Sequence, residues 1–375
     1  VPVGVMWTGF LILSVIMVLV VLFFSRLLTT LAGFAALTLI YLGLVVGAFH
    51  FGWWADPVLP GVVLALSFGL AAAFSYGTEG RQKLYIRRMF GQYMSETVIN
   101  HLLENPEKLQ LGGERRRVTL FFSDLAGFTT ISERLSPETV VSLLNDYLSR
   151  MTEIIFDEAG TVDKFEGDAI MAFWGAPLDQ PDQAARACRA ALKQQAALKE
   201  LNRQFAGLNL PPLAMRIGLN TGDAIVGNLG SVKRFDYTVI GDTVNLASRL
   251  EGVNKFYGSY VMASETTMEA CAGAVEFREL DLVAVKGKEQ AIRVFEVLGL
   301  KGELERELIK ARQDFAQGLE LYRQRRFPEA GAAFAAILAE NPGDGPARTY
   351  LDRCRRFQEE PPPPEWDTVF RPEGK

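Results

Sequence analysis

The chain has 375 residues, 49% of them hydrophobic, with 39 Lys and Arg against 44 Asp and Glu for a formal net charge of −5. That balance gives no reason to expect a nucleic-acid partner, although a locally positive pocket can still hold an anion. Three widely spaced cysteines, Cys188, Cys271 and Cys354, follow no metal-ligand pattern and read as reduced thiols, and with only His50 and His101 in the chain, histidine-based zinc chemistry is excluded from the charged C-terminal part. The chain opens with Val1 rather than Met, as a fragment or an alternative start codon would give.

Charge is unevenly spread, for between residues 1 and 78 the only fully charged side chains are Arg26 and Asp56. Apolar runs at 5–24, 27–49 and 58–76 each approach the roughly 20 residues a helix needs to cross a hydrocarbon core. They lack the polar stripe of soluble core helices, and the first lacks the basic start of a signal peptide. Arg26 sits in the short first turn, and Arg81, Lys83, Arg87 and Arg88 follow the third run. The second connection has no Lys or Arg and carries Trp53 and Trp54. The positive-inside rule therefore predicts a three-helix transmembrane segment over 1–78, multi-pass in an inner or plasma membrane. The N-terminus lies outside and everything after Gly80 lies in the cytoplasm. Residues 79–115 read as a helical connector, with Asn105-Pro106 marking a break.

From 116 to 300 strand-like and helix-like segments alternate, as in an α/β or α+β domain. Residues 118–123 form a strand candidate ending in Asp124, followed by Leu125-Ala126-Gly127-Phe128-Thr129. A helix is expected from Pro137 to about residue 158, with Ser136 as cap. Residues 161–165 and 169–173 read as a hairpin whose tip carries Asp168. Further strands are expected at 214–219, 224–227, 235–240 and 293–298, with helices at 182–203 and from 243. Two strand ends that each deliver an Asp suit magnesium, which accepts one or two carboxylates together with substrate phosphates. An Asp at a strand end is equally often a turn former. Gly127 would let backbone N–H groups approach phosphate oxygens.

Three stretches carry a family resemblance. Phe122-Ser123-Asp124-Leu125-Ala126-Gly127-Phe128-Thr129, Lys164-Phe165-Glu166-Gly167-Asp168-Ala169-Ile170-Met171-Ala172-Phe173 and the run from Tyr237 through Gly241-Asp242-Thr243-Val244-Asn245-Leu246-Ala247-Ser248-Arg249 to Glu251 resemble the class III adenylyl/guanylyl cyclases. The resemblance implies a ferredoxin-like catalytic domain that works as a dimer with active sites at the subunit interface. It implies that Asp124 and Asp168 hold two divalent metal ions, Mg2+ or Mn2+, and that Gly127, Phe128 and Thr129 cradle phosphates. Lys164 matches the purine-selecting lysine and Thr238 its partner. Lys can donate to adenine N1 and the Thr hydroxyl can accept from the exocyclic amine, which favours ATP over GTP. A hydroxyl can also donate, so Thr238 is less decisive than the Asp found there in many adenylyl cyclases. Asn245 and Arg249, four apart on one helix face, match the pair that orients the ribose and stabilises charge at the α-phosphoryl group. Lys286 matches the lysine on the terminal phosphates, with Lys288 as the alternative. Because every role occurs in one chain, the resemblance implies a homodimer with two equivalent sites.

Residues 301–357 are helical in pattern and resemble one tetratricopeptide unit plus a following helix, and 358–375 form a Pro-rich tail. The competing readings are a guanylate cyclase, opposed by Lys164 and Thr238, and a catalytically weak signalling scaffold, which loss of a site residue would have favoured. The membrane runs resemble the three-helix region after CHASE2-type sensors in bacterial receptor cyclases, implying an extracellular sensor upstream of Val1.

Overall fold

The computed structural model describes residues 113–372 except 232–233 and 285–290, and upstream of these 27–52 with parts of 12–19, 58–73 and 91–104. Residues 1–89 and 90–375 form two compact units.

In the first unit helix α1 (Leu27–His50) satisfies Thr38 internally, its Oγ1 donating to the Phe34 carbonyl at 2.8 Å. The Phe34 and Phe68 rings stack at 4.6 Å, and Leu37 and Tyr41 are buried. Among the described residues no helix is long and apolar enough to cross a membrane. The expected three-helix transmembrane segment is therefore corrected, and with it the multi-pass membrane location and the orientation drawn from it. An apolar run in the sequence crosses a membrane only where it folds into a helix that is both long and apolar enough, and the described residues contain none. The runs at 5–24 and 58–76 lie partly outside the described residues.

The second unit begins with helix α2 (Glu96–Glu104) and then strand β1 (Gly113–Leu125). A short helix α3 (Phe128–Ser132) follows, then α4 (Pro137–Asp157), which starts where Ser136 caps the Thr139 N–H and Pro137 presets the first turn. Strands β2 (Thr161–Glu166) and β3 (Ala169–Trp174) form the expected hairpin, and α5 (Gln183–Gly207) returns to β4 (Met215–Ser231). Strand order β2-β3-β1-β4, antiparallel throughout, with α4 and α5 as crossovers, is the split βαβ arrangement of a ferredoxin-like fold. The sheet continues through β6 (Val261–Ser264), parallel to β4, then β8 (Ile292–Leu300) and β7 (Val275–Val283), while β5 (Arg234–Ile240) pairs with β4.

Two local departures from the expected strands matter for the site. The strands expected at 214–219 and 224–227 are one continuous β4, because β1 pairs with it residue for residue from Leu125↔Met215 to Gly113↔Gly227. In β2 the register slips between Val162 and Lys164, a bulge that turns Asp163 inward, where it is buried.

One sheet face is covered by α4 and the alanine-rich α5, which bury Tyr147, Met151, Ala187 and Ala191 against Phe121 and Trp174. The other face carries α6 (Asp242–Tyr257), followed by the short helix α7 (Glu265–Ala270). Three C-terminal helices, α8 (Arg306–Arg323), α9 (Phe327–Glu340) and α10 (Gly345–Glu359), share a core with α6, in which Leu250 and Tyr257 meet Phe315, Phe334 and Tyr350. Buried charges pin this second core. Arg278 bonds Glu296 at 2.5 Å and Asp344 at 2.6 Å, while Asp281 accepts from Tyr257 and Arg353 at 2.7 Å each. Removing one partner of such a cluster leaves a buried charge uncompensated. Arg278→Ala should cost about 3–5 kcal/mol, read as a lower urea midpoint with unchanged m-value; a loss under ~1 kcal/mol would show that the cluster is solvated.

Candidate active site

β1 and β3 bring Asp124 and Asp168 together as neighbours at one end of the sheet. Asp168 Oδ2 accepts the Leu125 N–H at 3.2 Å, which fixes the hairpin tip against the end of β1. Both carboxylates are half-buried. Burial, the adjacent Asp168 and Glu251 push the Asp124 carboxyl up to about 6, against the pull of Arg216. Arg216 lies opposite Asp124 on β4 and pairs with Glu251 of α6 at 3.0 Å. Burial likewise raises Glu251 despite Arg216. Three carboxylates around one arginine leave negative charge unmet, a setting that favours a divalent cation. Among the described residues no group of three or more His, Cys, Asp or Glu is arranged to hold a metal. Asp124 and Asp168 are two neighbouring carboxylates, a number that would fit magnesium or manganese if substrate phosphates completed the shell.

Gly127 sits between β1 and α3 at φ 70°, with open space where a Cβ would lie. Only glycine holds that conformation without strain. Phe128 behind it is buried, and Thr129 is exposed at the first turn, where helix N–H groups lack intrahelical acceptors.

Lys164 and Thr238 come from β2 and β5 and meet through a residue that sequence reasoning missed. Asp163 Oδ2 accepts from Thr238 Oγ1 at 2.6 Å and from the Val239 N–H at 3.3 Å, and Lys164 Nζ lies 3.3 Å from Oδ1. Lys164 is exposed, whereas Thr238 is 8% exposed. Burial raises the Asp163 carboxyl, while the Thr238 hydroxyl, Lys164 and the Val239 N–H lower it. Strand alternation places Asp163 opposite Lys164, so only the bulge, which has no signature in this sequence, could have revealed it.

Asn245 and Arg249 lie one turn apart on α6, Asn245 exposed and Arg249 half-buried. Among the described residues Arg249 forms no ion pair, so its guanidinium is available to an anion. α6 is seated by Gly218, where a Cβ would collide with the Ala247 carbonyl and the Glu251 N, and by Asn254, which donates to the Ile217 carbonyl at 2.9 Å. Arg216, Glu251 and Gly218 were also missed. Glu251 ends a recognised motif, but nothing local to Arg216 or Gly218 marks them. Lys286, with its alternative Lys288, lies outside the described residues.

Residues 113–298 match the model of the adenylate and guanylate cyclase catalytic domain. A solved guanylyl cyclase, Cya2, is 41% identical to the chain, which covers 98% of it (52% of this chain; TM-score 0.48). Residues 113–298 are an adenylate and guanylate cyclase catalytic domain. The adenylyl cyclase CyaB from P. aeruginosa is 36% identical, with 52% of this chain and 100% of that chain covered and a TM-score of 0.49. Adenylate cyclase 1 of Rhizobium meliloti (strain 1021) is 38% identical over 211 residues, 56% of this chain and 32% of the relative. The adenylate cyclase of Anabaena cylindrica is 37% identical over 199 residues, 51% of this chain. The chain thus spans only 32% and 39% of the length of these two curated cyclases.

The carboxylate cluster at Asp124 makes a signed prediction. Folding raises Asp124 from 3.8 to about 6, so in metal-free protein the ionised carboxylate opposes folding fully above about 6 and not at all below 3.8. Asp124→Asn should stabilise the metal-free protein near neutral pH by on the order of 1 kcal/mol after solvent screening. The gain should fade as pH falls through that window, and Mg2+ is expected to stabilise the wild type but not the variant. Urea denaturation in chelator and in Mg2+ checks both.

Proposed function

We propose that the domain is an adenylate cyclase, converting ATP to 3',5'-cyclic AMP and diphosphate in signal transduction. The observation that carries the reading is the clustering of Lys164 and Thr238 around Asp163, two polar groups from different strands placed to read one base edge. In this reading Lys164 donates to adenine N1 and Thr238 accepts from the 6-amino group. Asn245 orients the ribose so that its 3'-oxygen lies in line with the α-phosphorus. As the 3'-oxygen–phosphorus bond forms, the bond to the bridging oxygen of diphosphate breaks, and the 3'-hydroxyl proton leaves to solvent. Arg249 stabilises the charge gathering on the α-phosphoryl oxygens, and backbone N–H groups from Gly127 to Thr129, with Lys286, hold the phosphates. Asp124 and Asp168 would hold the two metal ions, which when bound lower the pKa of the 3'-hydroxyl and neutralise the triphosphate. No covalent enzyme intermediate is needed.

The proposed active form is a homodimer, one subunit supplying Asp124 and Asp168 and the other Lys164, Thr238, Asn245 and Arg249. An exposed apolar face supports it, for Ile225 and Ile240, register partners on β4 and β5, are 45% and 50% exposed, and Phe165 beside Lys164 is 48% exposed. Apolar groups grouped at a surface favour a partner. Nothing among the described residues supports the CHASE2-type input arrangement, so the proposal is confined to the catalytic domain. GTP use is the second reading because Cya2, a guanylyl cyclase, is 41% identical.

Product analysis of purified protein given ATP or GTP with Mg2+ or Mn2+ tests the proposal. Cyclic AMP is expected; cyclic GMP as the sole product would support the second reading, and no cyclic product from either nucleotide would sink both. Arg249→Ala should lower kcat on the order of 100-fold. Mixed Asp124→Ala and Arg249→Ala chains should regain one working site per heterodimer, and no recovery despite confirmed mixing would refute the shared site.

A further inference from the structure

The hydroxyl of Thr238 is the weak point in base selection, because a threonine can either donate to guanine O6 or accept from the adenine 6-amine. The structure removes that freedom. Thr238 Oγ1 lies 2.6 Å from Asp163 Oδ2, the spacing of an O–H···O⁻ bond. The same oxygen already takes the Val239 N–H at 3.3 Å, and the Lys164 ammonium faces Oδ1 at 3.3 Å. An amide N–H can only donate, so Oδ2 already faces one obligatory donor, while Oδ1 meets the Lys164 ammonium at ion-pair distance without a hydrogen bond. The hydroxyl must then spend its single hydrogen on Asp163, and only lone pairs remain to face a base. The side chain of Asp163 is fully buried, so water does not compete for the bond.

We propose that Asp163 is a specificity-determining positioning residue, which locks the Thr238 hydroxyl as an acceptor, so that this threonine discriminates against guanine. The β2 bulge is the device that makes this possible, because an unbulged strand would point Asp163 away from Lys164. The inference rests on the adenylate cyclase reading and adds to it a residue that does not itself touch the nucleotide.

The test compares kcat/KM for ATP and ITP, which differ at the 6-position and at N1, in wild type, Asp163→Asn, Asp163→Ala, Thr238→Val and Asp163→Asn/Thr238→Val, each confirmed as a folded dimer. The ATP-to-ITP ratio should fall roughly tenfold in either Asp163 variant, the worth of about one well-made hydrogen bond. In the Thr238→Val background Asp163→Asn should change the ratio no further, whereas a merely structural role would lower both substrates together and add to Thr238→Val. A ratio unchanged in folded Asp163 variants, or full additivity, overturns the inference. Wild type alone gives a second measurement. The triphosphate of 6-methoxypurine riboside, which keeps N1 as an acceptor and replaces the amine by an acceptor oxygen, should turn over more slowly than that of unsubstituted purine riboside. The reverse order overturns the lock. If wild type makes no cyclic product from any nucleotide, the cyclase reading has failed; if it makes cyclic AMP but the ratios do not move, only the role of Asp163 has.

Discussion

Backbone contact between α6 and β4 at Gly218 is the constraint on which the rest of the site depends. Any side chain there would push the helix off the sheet, because a Cβ would occupy the space of the Ala247 carbonyl and the Glu251 N. Asn254 closes the same seam by donating to Ile217, and Asn220 does so at the other end by donating to the Thr243 carbonyl at 2.9 Å. A helix held at three points along its length cannot rotate its exposed face. Asn245 and Arg249 therefore project at an angle set by the sheet itself, and Glu251 is brought to Arg216 beside Asp124.

The outer side of α6 is held as firmly. Leu250, Val253 and Tyr257 enter the second core with the C-terminal helices. Gly345 packs its backbone onto Gly258, and Thr349 donates to the Phe256 carbonyl at 3.2 Å. Such buried polar anchors add little net stability but penalise alternative packings, since each half is costly alone. Helices that read in the sequence as a separate small piece thus act as the outer wall of the helix carrying the proposed transition-state pair.

Electrostatics divides the site into two halves of opposite character. Asp124, Asp168 and Glu251 crowd one Arg216, so charge repulsion there is relieved only by added cations or protons. Around Asp163 the balance is reversed, with one buried carboxylate meeting a hydroxyl, an amide and an ammonium. The first half is built to receive charge, and the second to fix the direction of a hydrogen bond.

The sequence by itself determined the family, through three motifs in order, and much of the local architecture. The cap at Ser136, the hairpin around Gly167 and the strand-end positions of Asp124 and Asp168 are all short-range features, settled by backbone sterics and hydrogen bonding within a few residues. Apolar runs near the N-terminus misled, because hydropathy reports composition, and among the described residues no helix is both long and apolar enough to cross a membrane. Tertiary structure alone decided that β4 runs unbroken, since pairing along all of β1 overrides the break expected between 219 and 224. It also decided that Asp163 turns inward and joins Lys164 to Thr238, because a bulge is a mismatch between two strands. No single segment encodes such a mismatch, and so the feature proposed to sharpen base selection became visible only once β2, β3 and β5 were assembled.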